Sequence, residues 1–60
     1  MKKHIDKTGR HIEAGDILFN PADRDGEHEV LTDGEELYLG DFDSPLERYI
    51  PHKFWEIISR

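Results

Sequence analysis

Apolar and polar residues alternate along this chain over short segments that end at glycine, proline or aspartate. The clearest alternation lies on either side of Asp33-Gly34, in residues 28–32 and 35–39. Asp-Gly is a strong signal for a two-residue hairpin loop, because a type I′ turn needs positive φ at both central positions. The sequence therefore predicts a β-hairpin whose turn is Asp33-Gly34.

The predicted hairpin has one apolar face and one mixed face. A two-residue turn sets Thr32 opposite Glu35 and Val30 opposite Leu37, and side chains then alternate between the two faces of the sheet. The inward face carries Val30, Leu37 and Leu39. The outward face carries Glu29, Leu31, Glu36 and Tyr38.

Two further strands and one helical turn are predicted outside the hairpin. Residues 16–20 follow a Gly-Asp turn, and residues 53–58 are rich in aromatic and β-branched side chains, which favour strands. Ser44-Pro45-Leu46-Glu47 has the form of a capping box, which is typical of a helix start. Pro51 disfavours helical backbone at the preceding residue, so we expect one short helical turn near residues 45–49.

These closely spaced turns predict an all-β fold rather than a helical bundle. We expect residues 1–60 to form a single domain, an SH3-like small barrel of four or five short antiparallel strands with the one helical turn. An open sheet with the C-terminal segment packed across it as a helix is the alternative. A chain this short buries only about 60% of the surface that its unfolded form exposes.

The sequence allows two predictions of which aromatic residues are buried and which are exposed. In both, Phe19, Phe42 and either Phe54 or Trp55 fill the core. In the first, Trp55 and Tyr49 close the bottom of the barrel. In the second, Tyr38, Tyr49 and Trp55 form an exposed cluster, which is typical of a protein-binding hot spot.

The run Asp6-Lys7-Thr8-Gly9-Arg10-His11-Ile12-Glu13-Ala14-Gly15-Asp16-Ile17-Leu18 resembles the opening of YopX-like phage and prophage proteins. In that family a D-K-x-G-[KR]-x-I-x-x-G-D-I-[VL] run leads into a small β-barrel. The ending Trp55-Glu56-Ile57-Ile58 is similar to the closing strand of that family. The resemblance implies a phage or prophage origin and a β-barrel core, and it implies no catalytic residues.

The charge is concentrated in the middle of the chain. Between His11 and Glu47 there are twelve acidic residues and one basic residue, Arg24, within a chain of net charge −6. Nucleic-acid binders use lysine and arginine to displace counterions from phosphates, so this balance disfavours nucleic acid and anionic membranes as partners. It permits a basic protein partner. Solubility is the other explanation for such a charge.

The sequence also gives expectations for cellular location and oligomeric state. There is no cysteine, and no apolar run approaches the roughly 20 residues of a membrane span. We expect no secretory signal in the basic start Met1-Lys2-Lys3-His4, and therefore a cytoplasmic protein, in the host cell if it is phage-encoded. We expect a monomer or a weak homodimer.

Two candidate metal sites fail on spacing. Carboxylates alternate around a glycine in residues 23–29, but this arrangement does not match the calcium loop of an EF-hand. The four histidines have no paired spacing of the kind that zinc sites use, and their positions are His4, His11, His28 and His52. We expect no metal and no other cofactor.

Catalytic residues are not evident either. Ser44 and His52 lack the strained turn that exposes a nucleophilic serine, and Glu35 and Glu36 point to opposite faces if they lie in a strand. We therefore expect a non-enzymatic protein-interaction module, a phage or prophage accessory protein. The expected partner-binding residues are Glu29, Leu31, Glu36, Tyr38, Tyr49 and Trp55. The alternatives are an acidic DNA mimic that inhibits a DNA-binding host protein, and a structural homodimer through the Leu31/Tyr38 face or an open edge strand.

Overall fold

A computed structural model describes residues 3–59 of the chain and shows a mainly β fold. Within these residues, four antiparallel strands form one open sheet in the order β3-β2-β1-β4. The strands are β1 Ile17–Phe19, β2 Glu27–Thr32, β3 Leu37–Leu39 and β4 Glu56–Ser59. The predicted β-rich character is confirmed, and so is a short helical turn near residues 45–49, a 3₁₀ helix at Leu46–Tyr49.

The inner face of the sheet carries the hydrophobic core. Strand alternation turns Leu18, Val30 and Ile57 inward together with both leucines of β3, as expected for the hairpin. Leu46 of the 3₁₀ helix packs onto this face and is fully buried. The complete core is Ile12, Leu18, Val30, Leu37, Leu39, Leu46, Trp55 and Ile57.

The hairpin loop is longer than predicted. Thr32 lies opposite Leu37, not Glu35, so four residues form the loop. The Asp33 carboxylate accepts hydrogen bonds from two backbone N–H groups of the loop, and the Thr32 hydroxyl accepts one from Gly34 and donates one to the Glu36 carbonyl. These side-chain bonds stabilise a wider turn than the two-residue type. The register shift of two residues leaves the side chains within β2 and β3 on their predicted faces, whereas Glu36 now lies in the loop.

The predicted serine cap of the helical turn is wrong. Pro45 is extended, with ψ 133°, and no side chain caps the 3₁₀ helix. Ser44 instead continues the sheet, because its carbonyl accepts a hydrogen bond from Leu39 N–H at 2.8 Å. The residues before the helix therefore run along the edge of β3 rather than forming a capping box.

The predicted closing strand at residues 53–58 is only partly right. A one-turn helix, α1, spans Pro51–Phe54, and β4 begins after it at Glu56. Ile50 has the left-handed conformation, with φ 47°, and separates the 3₁₀ helix from α1. Proline is well suited to the first helical position, which accounts for a helix start at Pro51. None of the helices in residues 3–59 combines the length and apolar character that crossing a bilayer requires.

The aromatic side chains are distributed differently from the prediction at several positions. Trp55 is 3% exposed in the core, and Tyr49 packs edge-on against it with ring centroids 5.8 Å apart. Closure of the core by this pair is confirmed, and the expectation of an exposed Trp55 is wrong. Phe42, predicted in the core, is 58% exposed because it lies in a turn outside the strand alternation. The prediction of Phe19 in the core is also wrong: it is half-buried on the outer face of the sheet, because strand alternation turns the neighbouring Leu18 inward.

Asp6 is a buried carboxylate that joins the N-terminal loop to the last strand. It is 1% exposed, and one of its oxygens accepts hydrogen bonds from Thr8 N–H, the Thr8 hydroxyl and Arg10 N–H at 2.7–3.0 Å. The other oxygen accepts a hydrogen bond from Ile57 N–H at 3.0 Å. Gly9, with φ 93°, supplies the positive φ that the tight loop needs.

These hydrogen bonds determine the ionisation of Asp6. Burial by itself would raise the pKa of this carboxyl group, but the hydrogen bonds from Ile57, Thr8 and Arg10 favour the charged form. Together they hold the pKa of Asp6 well below the ordinary value of 3.8. The ionised side chain therefore stabilises the fold at every pH above that ordinary value, and this contribution is lost as the pH falls towards the folded-state pKa.

We predict that Asp6→Asn lowers the free energy of unfolding at neutral pH by about 2–4 kcal/mol, because it replaces a charged acceptor in a buried site. The difference from the wild-type protein should shrink in acid, below the ordinary aspartate pKa. Urea unfolding followed by tryptophan fluorescence over a pH series measures both effects. Asp25→Asn, at an exposed loop position, is the matched control and should change stability by less than about 0.5 kcal/mol. Equal losses in the two variants would contradict this assignment of Asp6.

Candidate functional site

The outer face of the sheet carries apolar side chains that remain partly accessible. Ile17 and Phe19 of β1, Leu31 of β2 and Tyr38 of β3 are half-buried and point away from the core. The 3₁₀ helix packs on the inner side, through Leu46. Residues pointing out from a sheet face are more often polar when that face meets water. This face is therefore the first candidate for a binding surface.

Two aromatic rings meet at the β3 side of this face. Phe42 packs against Tyr38 with ring centroids 5.4 Å apart and planes inclined at 57°. Leu31 lies beside this pair as the cross-strand neighbour of Tyr38. Phe42 lies in a turn, and its ring nevertheless retains a fixed contact on the sheet. The pair forms a raised apolar spot, since more than half of Phe42 is exposed.

Asp33 anchors the tyrosine of this pair. The Tyr38 hydroxyl donates a hydrogen bond to Asp33 Oδ2 at 2.8 Å, while Oδ1 accepts from Glu35 and Glu36 N–H groups at 2.9 Å each. The two backbone bonds and the Tyr38 bond lower the pKa of Asp33 to about 2. The same hydrogen bond, with the nearby negative charge, raises the pKa of Tyr38 above 10.0. Asp33 is thus ionised and Tyr38 neutral and oriented at physiological pH.

Acidic residues adjoin the aromatic spot in the strands and in the turn that carries Phe42. Glu29 lies two residues before Leu31 on β2, so it shares the outward side, and Glu36 precedes β3. Asp41 and Asp43 flank Phe42, and the Asp41 carboxylate accepts a hydrogen bond from Asp43 N–H at 2.9 Å. All four of these acidic residues are exposed. We call the whole surface the acidic–aromatic face, and its residues are Leu31, Tyr38, Phe42, Glu29, Asp33, Glu36, Asp41 and Asp43.

The structure brings together four of the six residues expected to bind a partner. Leu31, Tyr38, Glu29 and Glu36 lie on the acidic–aromatic face. Tyr49 and Trp55 lie on the other side of the sheet, where Trp55 belongs to the core and Tyr49 packs against it. Phe42 was not expected on this surface. Its acidic neighbours, Asp41 and Asp43, were the available signal, because a phenylalanine between two aspartates in a turn has no strand to bury it.

The candidate metal ligands are not brought together. Among residues 3–59, no three histidine or acidic side chains converge to hold a metal ion. Asp23, considered as a calcium ligand, instead lies 2.7 Å from His28 Nε2. The His28 ring also contacts Trp55 edge-on, with centroids 5.8 Å apart. The His28 imidazole therefore packs against Trp55 at the edge of the core and holds the loop that carries Asp23 in place.

Comparison with known proteins gives no match: no protein-family model, curated protein or solved structure matches this chain.

The run Asp6–Leu18, which resembles the YopX-like opening, contains residues that stabilise the fold. Asp6 holds β4, and Asp16 accepts a hydrogen bond from Glu13 N–H at 2.9 Å to close the turn before β1. Asp6 and Asp16 therefore stabilise the fold, and the acidic–aromatic face is the candidate functional site.

We predict that Asp33→Asn lowers the pKa of Tyr38 towards the ordinary value of 10.0, because it removes the negative charge that opposes tyrosinate formation. Absorbance titration of tyrosinate measures the change. Tyr49→Phe in both proteins leaves Tyr38 as the tyrosine observed. A Tyr38 pKa that is the same with and without the Asp33 carboxylate would show that the hydrogen bond does not form in solution.

Proposed function

We propose that this protein is a non-enzymatic protein-interaction module that binds a basic protein through its acidic–aromatic face. The observation that carries the proposal is Phe42, which is 58% exposed and held against Tyr38 within a group of carboxylates. An exposed aromatic ring on a stable support is the type of residue that dominates binding energy at protein interfaces. Burial of the Phe42 ring by a partner removes apolar surface from water, which contributes favourable free energy to binding.

The aromatic spot is well ordered before any partner arrives. Tyr38 is fixed by the strand pairing of β3 and by its hydrogen bond to Asp33. Phe42 rests on Tyr38, and the turn that carries Phe42 is closed by the Asp41 carboxylate. Binding to a pre-ordered surface loses less conformational entropy than binding to a mobile one. This order supports a binding role for the face.

The charge of the face determines the kind of partner. Five carboxylates, from Glu29, Asp33, Glu36, Asp41 and Asp43, accompany three apolar side chains, and residues 25–47 contain no lysine or arginine. A complementary surface has an apolar or aromatic centre with lysine or arginine at its margin. Arginine fits best, because its guanidinium group both stacks on aromatic rings and pairs with carboxylates.

We extend the proposal to the finer fold and to the origin of the protein. The last strand returns to pair with β1, and a 3₁₀ helix followed by α1 connects β3 to it, which supports an SH3-like small barrel. The resemblance of residues 6–18 to YopX-like proteins supports a phage or prophage accessory protein.

The proposal is tested with a random-peptide display library selected on the immobilised protein. Selected peptides should combine lysine or arginine with an aromatic or large aliphatic residue, and their binding should weaken as salt concentration rises. Phe42→Ala should weaken the best peptide by roughly thirtyfold, the loss typical of a hot-spot residue. Fluorescence anisotropy of the labelled peptide measures both effects.

Phe54→Ala is the matched control, because Phe54 is 51% exposed but lies on α1, away from the acidic–aromatic face. It should leave peptide affinity unchanged. Selected peptides without basic residues, or equal losses from the two variants, would contradict the proposal. An acidic DNA mimic would instead lose affinity for its target when carboxylates are neutralised and would tolerate Phe42→Ala.

A further inference from the structure

The strand β4 lies at one edge of the sheet, so no strand formed by residues 3–59 pairs with the outer side of its backbone. The groups that point outward from this edge include the Trp55 carbonyl, the Ile57 N–H and the Ile57 carbonyl. An uncovered strand edge is a template for pairing with another chain, and proteins commonly block such edges. The way in which this edge is blocked points to a second binding surface.

The N-terminal loop covers all three groups. Lys7 N–H donates to the Trp55 carbonyl at 2.8 Å, and the Asp6 carboxylate accepts from Ile57 N–H at 3.0 Å. The Arg10 guanidinium donates to the Ile57 carbonyl. Asp6 and Arg10 also form an ion pair with a separation of 3.5 Å. We call residues 6–10 the edge guard.

Asp6 and Arg10 supply with side chains what a neighbouring strand supplies with its backbone. In a hydrogen-bonded antiparallel pair, two opposed residues exchange both of their N–H···O=C bonds. Ile57 offers both groups on the outer side of β4, and it meets an acceptor from Asp6 and a donor from Arg10. The guard therefore occupies the position of a pairing residue.

We propose that the edge guard covers a self-association site, and that a second copy of this chain pairs with β4 in antiparallel orientation when the guard is released. Ile57 lies opposite Ile57 of the second copy, which gives a closed twofold arrangement with the same surface on both chains. In this register Glu56 lies opposite Ile58, which is 47% exposed, so no like charges oppose each other. The pairing does not depend on the acidic–aromatic face.

The other edge of the sheet is closed differently. Residues of the main chain after β3 cover it, through the Leu39 N–H bond to the Ser44 carbonyl and a bridge between Tyr38 and Pro45. These residues lead directly into the 3₁₀ helix, so this cover cannot be removed without disrupting the core. The edge guard is joined to β4 by the side chains of Asp6 and Arg10, and residue Lys7 adds a backbone hydrogen bond and an ion pair to Glu56 at 3.9 Å. A change of Asp6 or Arg10 therefore uncovers one of the two Ile57 backbone groups and weakens the cover.

Asp6→Asn tests the proposal, with Asp16→Asn as the matched control. Both changes neutralise a buried carboxylate that accepts backbone hydrogen bonds, but Asp16 holds the turn before β1 and not an edge. Analytical ultracentrifugation should show a concentration-dependent dimer for Asp6→Asn and a monomer for both wild type and Asp16→Asn. A dimer of all three proteins, or of none, overturns the proposal.

Hydrogen exchange at the Ile57 amide identifies the interface. In dilute Asp6→Asn this amide should exchange at least about tenfold faster than in the wild type, since a hydrogen bond to a charged group is lost. Its protection should return as protein concentration rises and the edges pair. A dimer in which the Ile57 amide stays unprotected would place the contact elsewhere and overturn the proposal.

Arg10→Ala keeps the test decisive if Asp6→Asn does not fold. The Arg10 side chain is half exposed, so its truncation uncovers the Ile57 carbonyl with little effect on the core. This variant should also self-associate, more weakly than Asp6→Asn, because Asp6 still occupies the Ile57 N–H. A monomeric Arg10→Ala together with a monomeric or unfolded Asp6→Asn overturns the proposal.

Discussion

The fold depends on one buried, ionised carboxylate. Asp6 lies 51 residues from Ile57 in the chain, and its hydrogen bond to that residue joins the loop of residues 6–10 to β4. A charge in the interior is tolerated only when hydrogen bonds replace the water that it loses. Four donors surround Asp6, three from its own loop and one from β4, so they hold the loop against that strand. In a 60-residue chain without cysteine, this contact takes the place of a covalent link.

The Asp6 contact lies on the side of the molecule that closes the core, away from the acidic–aromatic face. The N-terminal loop, β4 and the helical segments gather around Trp55 and close the core. The acidic–aromatic face lies on the opposite side of the sheet, where Tyr38 and Phe42 are ordered by local hydrogen bonds. The hydrogen bonds that order that face do not involve Asp6. The residues of the acidic–aromatic face come from the middle of the sequence, where the acidic residues are concentrated.

Strand alternation was readable from the sequence, and specific side-chain hydrogen bonds were not. The inward direction of Val30, Leu37 and Leu39 follows from period two and survived a register shift of two residues. The shift itself came from Asp33 and Thr32, whose side chains bond to the loop backbone and compete with the tighter turn that Asp-Gly favours.

Two other features depend on contacts far apart in sequence. Asp6 looks like a solvent-exposed loop residue until Ile57 is brought beside it. Phe42 looks like a core residue on composition, and only its place in a turn outside the sheet leaves it exposed. Four expected interface residues were found together because they share a strand face, whereas Tyr49 and Trp55 were separated from them by the sheet.

The most direct test of the account is a pH titration of the Asp6 carboxyl carbon by NMR. We expect Asp6 to remain ionised well below the ordinary aspartate value of 3.8. Titration of Asp6 near that ordinary value, in protein that is still folded, would show that its carboxylate does not hold the N-terminal loop to β4.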